Sequence, residues 1–278
     1  MGSAVFLVEN FFNVHQFPDH VIDAAEEPTG TEAWRVGTGR RDTESNKWTP
    51  TTANSSTYLD VECNRVRSAD MLVMDGHNLA GYDFELHGSN DDHTTHESIL
   101  DLTIPAVSAP GRLEDGVLTE EGAYVRRVDL PRGYKYWRPY FPAMGADLKP
   151  IVTGLWLGLS YSTDDLVRPA DVDMTELHAA ETMSEHGWLG RGHATRSRVG
   201  TFNIDLWGFM KYDLARYHLS TLFGKGYPMW FVPDSDQADR AFCVVRPGGS
   251  RVGFQLGQRW SYESAQIPYI EHQPSEDR

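Results

Sequence analysis

Short runs in which apolar side chains fall at every second position recur along most of this chain, and they constrain its fold more than any other feature. In MLVMDGHNLAGYDFELHGSNDDHTTHE, residues 71–97, Met71 and Val73, then Tyr82, Phe84 and Leu86, keep a period of two. That is the period of a strand with one buried face, because successive side chains of a strand point to opposite sides. The stretch reads as two strands joined by a turn. Comparable runs are AVFLVENFF, STYLDVECN, LDLTIPA, AYVRRVDL, YKYWRPYF and IVTGLWLGLSY, separated by turn-forming intervals such as PTGT, GTGRRDTESN, DGHN and GSNDD. From residue 1 to about 165 this rhythm predicts an antiparallel β-sandwich.

The remainder has a different character. TDDLVRPADVDMTELHAAETMSEHG, from residue 163, is polar and acidic and predicts an irregular connector. TFNIDLWGF then alternates as a strand. In DLARYHLSTLFGKG, Leu214, Tyr217, His218 and Leu222 stand at helical spacing, with Asp213 as N-cap and Gly224 at the C-cap, which predicts one helix over about 212–223. Strands follow in YPMWFVP, AFCVVRP, RVGFQLG and WSYESAQIPYIEH. The almost wholly apolar YPMWFVP fits a strand buried on both faces or one covered by another subunit. The expected division is a domain over 1–165 and a second over 166–278, mainly β throughout.

Composition narrows the function classes. With 40% hydrophobic and 12% aromatic residues in 278, the chain has material for real cores and is not disordered. A formal net charge of −15 argues against tight nucleic-acid binding, since phosphates would be repelled. Cys63 and Cys243 are far apart and lack a C-x-x-C partner, so buried thiols are expected rather than a disulfide framework or a cysteine zinc site. No signal-peptide pattern opens the chain, and no apolar run approaches the ~18 residues of a membrane span. A soluble protein made in the cytoplasm is expected.

Residue chemistry points away from catalysis. No G-x-S-x-G elbow, P-loop or G-x-G-x-x-G is present, so no catalytic residue and no cofactor is assigned. DDHTTHE offers Asp91, Asp92, His93, His96 and Glu97, but its H-x-x-H-E spacing is not the helical H-E-x-x-H, and no metal is assigned; a solvated loop is the simpler reading. SNDD carries calcium-type oxygen ligands without the complete loop motif. His77 and Asn78, in a Gly-His-Asn turn, suit side-chain to backbone hydrogen bonds, with ligand contact as the alternative. SEHGWLGRGHATRSRVG, residues 184–200, is the one basic stretch, and Arg191, Arg196 and Arg198 in it are candidate interface residues, as bidentate arginines favour protein contacts. In YKYWRPYF alternate side chains should enter the core while the others stack on sugar rings or on a partner.

DMLVMDGHNLAGYDFELHGSND resembles the galactose-binding-like, discoidin-type jelly roll of minor structural proteins in tailed bacteriophages, as do the aromatic YKYWRPYF and the following PIVTGLWLGL. The later SEHGWLGRGHATRSRVGTFNIDLWGFMKYDLARYHLSTLFGKGYPMWFVPD is similar to the β-barrel of tail-tube and distal-tail proteins. The resemblance implies a galactose-binding-like β-sandwich followed by a tail-tube-like barrel with one short helix. It further implies a non-catalytic tail-tip or baseplate subunit in the virion, forming a ring with copies of itself and joining tail-tube and fibre proteins. Trp207 and Trp230 join the arginines as interface candidates, and residues 1–12 and 246–262 are candidate arms for pairing between subunits. The alternative is a module that binds carbohydrate or a host receptor, with His77, Asn78 and Trp137 as candidate contacts to a host-surface glycan.

Overall fold

The structure is a computed structural model that describes residues 3–38, 47–91, 95–128, 133–145, 147–163, 166–177, 182–183, 189–190, 195–205, 219, 223–247, 253–256 and 262–271. It is mainly β. Along the chain run β1 (Ala4–Leu7), β2 (Val21–Ala24), β3 (Thr57–Arg67), β4 (Met71–His77), β5 (Asp83–Ser89), β6 (Glu97–Thr103) and β7 (Val117–Leu118). Next come β8 (Tyr124–Arg127), β9 (Tyr134–Phe141), β10 (Val152–Gly158), β11 (Ser160–Thr163), β12 (Leu166–Leu177), β13 (Thr182–Met183) and β14 (Leu189–Gly190). β15 (Thr195–Asp205), β16 (Met229–Val232), β17 (Phe242–Val245), β18 (Gly253–Leu256) and β19 (Tyr262–Glu271) complete the order.

Two compact units divide the chain. The first takes residues up to Asp164 and also Met229–Phe242, and the second takes Asp165–Pro228 and Cys243–Gln273. Thus the expected boundary near 165 marks the first crossing only, because the apolar strand β16 returns to the first unit. There it pairs with β1, Phe6 opposite Phe231, while β11 pairs with the other edge of β1. Both edges of β1 are therefore satisfied inside the first unit, so this part of the proposed 1–12 arm has no open edge to offer a neighbour.

The first unit is a sandwich. A five-stranded antiparallel sheet, in the order β2-β3-β9-β5-β6, faces a four-stranded sheet, β10-β4-β8-β7. One cluster of buried side chains lies between them: Leu59 and Val61 of β3, Phe84 and Leu86 of β5, and Trp137 and Phe141 of β9 meet Leu72 and Met74 of β4 and Leu155 and Leu157 of β10. Alternation is clean in β5 from Asp83 to Gly88 and in the second half of β9, whose other face is part-exposed, whereas β4 from Met71 to Asp75 and all of β10 are buried continuously. The reason is a second cover. Trp156 of β10, pointing away from the sandwich core, meets Trp230 of β16 edge-on with ring centroids 5.8 Å apart. A strand covered on both faces loses its polar alternation.

The turn joining β4 to β5 is built by its sequence. Gly76 has φ +53° and a side chain there would overlap Thr153 Oγ1, and Gly81 has φ +82°, so both positions favour glycine. Asn78 fastens this turn to the segment before β10: its Nδ2 donates to the Lys149 carbonyl at 2.8 Å and its Oδ1 accepts from the Ile151 amide at 2.8 Å.

In the second unit β17, β19, β15 and β12 pair in that order, with β18 also on β19. Among the described residues it is not a closed barrel, which corrects the tail-tube-like expectation. Nor is residue 163 onward an irregular connector, since β12 is a twelve-residue strand paired to β15. The alternation of Ala170, Val172 and Met174 carried that signal, and Pro169 falls where the register shifts between Val167 and Ala170, the kind of place a residue without an N–H is tolerated. β18 of the second candidate arm is likewise paired, to β19. Most of the helix predicted over about 212–223 lies outside the described residues. No helix among them is long and apolar enough to cross a membrane. Cys63 and Cys243 are both buried, and burial pushes the Cys63 thiol up to about 12.

Candidate functional site

The outer face of the five-stranded sheet brings polar and aromatic side chains of β3, β9, β5 and β6 together. Because Trp137 and Phe141 point inward, Tyr136, Arg138 and Tyr140 of β9 must point outward. The register then aligns them in rows. Tyr140 stands between Tyr58 of β3 and Glu85 of β5, with Asp101 of β6 beyond. Arg138 is opposite His87, and Tyr136 lies between Glu62 and Ser89. Asp23 of the edge strand β2 is opposite Asp60.

Arg138 is the centre of this array. Its Nε and Nη2 donate to the two Asp60 oxygens at 2.6 and 2.7 Å, its Nη1 contacts His96 Nε2 at 2.8 Å, and its guanidinium carbon lies 3.8 Å from the Tyr58 ring centroid. The side chains of Arg138 and Asp60 are only 13% and 8% exposed, so this bidentate pair is shielded enough to hold its geometry. Burial opposes the charge on Arg138, and the Asp60 hydrogen bonds and charge outweigh it, raising the guanidinium above its ordinary range. Beside it His87 Nε2 contacts Glu85 at 2.7 Å, and the His87 ring stacks on Tyr140 and on His96 with centroids 5.4 and 5.6 Å apart. At the far end Lys135 Nζ donates to Glu62 at 2.7 Å and to the Tyr136 hydroxyl at 3.0 Å, which raises the Lys135 ammonium above its usual value.

Donors, acceptors and part-exposed aromatic rings held on one sheet face suit recognition of a polar ligand with both hydroxyl-bearing and apolar faces. Like charges stand directly opposite at Asp23 and Asp60 and at Glu85 and Asp101, an arrangement that costs stability in a sheet and is tolerated where a surface serves something other than folding. Among the described residues no group of three or more histidine, cysteine or acidic side chains gathers to hold a metal.

Of the glycan contacts expected from sequence, Trp137 is fully buried in the core. The tryptophan and the arginine beside it have opposite parity in β9, and a charged residue marks the solvent side; the outward set is therefore Tyr136, Arg138 and Tyr140. Asn78 serves the turn through both ends of its amide. His77 accepts the Leu79 amide on Nδ1 at 3.1 Å, its Nε2 is buried without a partner, and burial, partly offset by Asp75, pushes the imidazole down to about 4. None of these three joins the outer face. Trp230 is fully buried against Trp156, inside the first unit rather than on an interface. Arg196 and Arg198 lie on β15 opposite Glu176 and Met174; Arg191 and Trp207 lie outside the described residues, as do Asp92 and His93. Asp60, Glu85, His87 and Arg138 were not singled out by sequence; only the cross-strand register brings them together.

No protein-family model matches the chain, and no curated protein is matched. Among solved structures it is similar to the family 32 carbohydrate-binding module of Streptococcus pneumoniae EndoD, at 16% identity and TM-score 0.38 over 54% of this chain and 98% of that one. It is also similar to chitosan-binding module 1 of a chitosanase/glucanase from Paenibacillus sp. IK-5, at 14% identity and TM-score 0.38 over 54% of this chain and 98% of that one. A GH29 fucosidase of Ruminococcus gnavus in complex with fucose is matched at 10% identity and TM-score 0.40, over 56% of this chain and 27% of the fucosidase, so the chain spans about a quarter of that enzyme.

Proposed function

We propose that this protein is a non-catalytic binding module whose first unit recognises carbohydrate through the outer face of its five-stranded sheet. The observation that carries the reading is the Arg138-centred array, in which Asp60, His96 and Tyr58 hold the guanidinium of the residue that stands between the part-exposed Tyr136 and Tyr140 along β9. A sugar presents hydroxyls that both donate and accept and a C–H face that packs on aromatic rings, and this surface offers a counterpart to each. Screening the protein on a glycan array and measuring the strongest hit by calorimetry tests it. Binding that Tyr140→Ala and Tyr136→Ala each weaken, in variants whose circular dichroism matches the parent, is the expected result. Absence of any glycan hit, or affinity indifferent to both changes, overturns it.

In its finer form the proposal places the module on a virion tail, with a host-surface glycan as ligand. The ring-forming tail-tip role suggested by sequence resemblance draws no support from the described contacts, because β1 is paired on both edges and Trp230 is internal. Electron microscopy of the particle carrying this chain decides that role by location and copy number.

A further inference from the structure

His96 immediately precedes β6, and its Nε2 lies 2.8 Å from Arg138 Nη1. A guanidinium has donors only, so at this separation Nε2 must supply a lone pair and the neutral ring must carry its proton on Nδ1. A protonated imidazole has a donor at both nitrogens and no lone pair. A proton and the Arg138 contact therefore compete for the same electrons on the same atom.

The surroundings sharpen that competition. From β9 the ring meets Arg138, from β5 it stacks on His87 with Glu85 behind that ring, from β3 Asp60 and Tyr58 reach it through Arg138, and Glu97 follows it in the chain. These three carboxylates each have a partner of their own: Asp60 takes two bonds from Arg138, Glu85 contacts His87, and Glu97 accepts the Tyr134 hydroxyl at 2.8 Å. A charged His96 would face the Arg138 cation, and the stacked His87 ring beside it adds a second positive charge whenever it too is protonated.

We propose that His96 is a proton-operated switch on the binding face: proton uptake breaks its contact with Arg138, loosens the guanidinium from one of its three anchors, and weakens ligand binding in acid. The ligand half of this inference rests on the carbohydrate reading, whereas the proton half stands without it.

Two measurements test the switch. In nitrogen-detected NMR of the full chain, neutral His96 should be the Nδ1–H tautomer. In the charge-balanced double variant Asp60→Asn/Arg138→Gln its titration midpoint should rise by at least ~0.5 pH unit, about threefold in proton affinity. An Nε2–H tautomer, or an unmoved midpoint, overturns the switch. The second measurement compares ligand affinity at about pH 7.5 and about pH 5, where unperturbed histidine changes charge. His96→Gln keeps an oxygen acceptor for Arg138 but cannot take up a proton, so the parent should lose affinity at least about threefold in acid while the variant stays nearly flat. Equal losses in both overturn the switch and leave the carbohydrate reading standing. If no glycan binds at any pH, the carbohydrate reading and the ligand half fail together, and the NMR result alone decides whether His96 and Arg138 compete for the proton.

Discussion

Replacing His77 with asparagine isolates what one buried imidazole does to the acid stability of the first unit. In the folded chain its Nε2 has no partner and burial pushes its titration down to about 4, against an ordinary value of 6.5. As pH falls below about 6.5 the unfolded chain gains a proton that the folded chain refuses until about 4, so stability drops through that window and levels off beneath it. Each unit of separation is worth about 1.4 kcal/mol, so between about pH 7.5 and about pH 4.5 this group removes on the order of 2–3 kcal/mol. Asparagine can still accept the Leu79 amide two residues on, as Asn does in a turn, but cannot take up the proton. At neutral pH the smaller side chain should cost about 1 kcal/mol through the space it leaves, and in acid the order should narrow or reverse. Urea unfolding followed by tryptophan fluorescence at several pH values reads both effects. If parent and His77→Asn lose stability equally in acid, His77 is not held neutral by burial and the reasoning fails.

Further consequences concern the same unit. Asp60→Ala should destabilise by about 3 kcal/mol because it strands the shielded Arg138 cation, whereas the double change Asp60→Leu/Arg138→Met should cost clearly less in the same unfolding assay; equal losses would mean that desolvation is not the issue. Asn78→Ala removes both ties to the segment before β10 and should cost about 1–2 kcal/mol, read as a shift of the denaturation midpoint. Gly76→Ala meets a left-handed backbone and Thr153 Oγ1 together, so a loss of about 2 kcal/mol or more is expected, recovered in part by adding Thr153→Ala.

Much of the first unit is legible in the chain because strand alternation is a local signal. Phe84 and Leu86 announce the buried face of β5, and the turn of Gly76 to Gly81 announces where the chain reverses. What sequence order does not carry is pairing over long separations. MWFV reads as a buried strand, but nothing in it says that its partner is residues 5–7, more than two hundred positions earlier. The same limit hides the candidate face. Asp60, His87 and Arg138 stand on three strands, and they become neighbours only when β9 settles between β3 and β5. Parity within β9 was readable, since Arg138 shares its phase with Tyr136 and Tyr140; the attraction of tryptophan as a sugar-stacking residue pointed instead to Trp137, which the core uses. β12 was hidden by its acidic composition, which reads as loop although every second residue from Ala170 to Met174 is apolar.

Backbone amide shifts mapped while titrating an oligosaccharide identified on the array locate the binding surface residue by residue. Recognition through the sheet face requires the perturbed amides to cluster on β3, β9 and β5, around Tyr58, Asp60, Tyr136, Arg138, Tyr140 and His87. Perturbations confined to the turns at the ends of the sandwich, or scattered through the second unit, would contradict it.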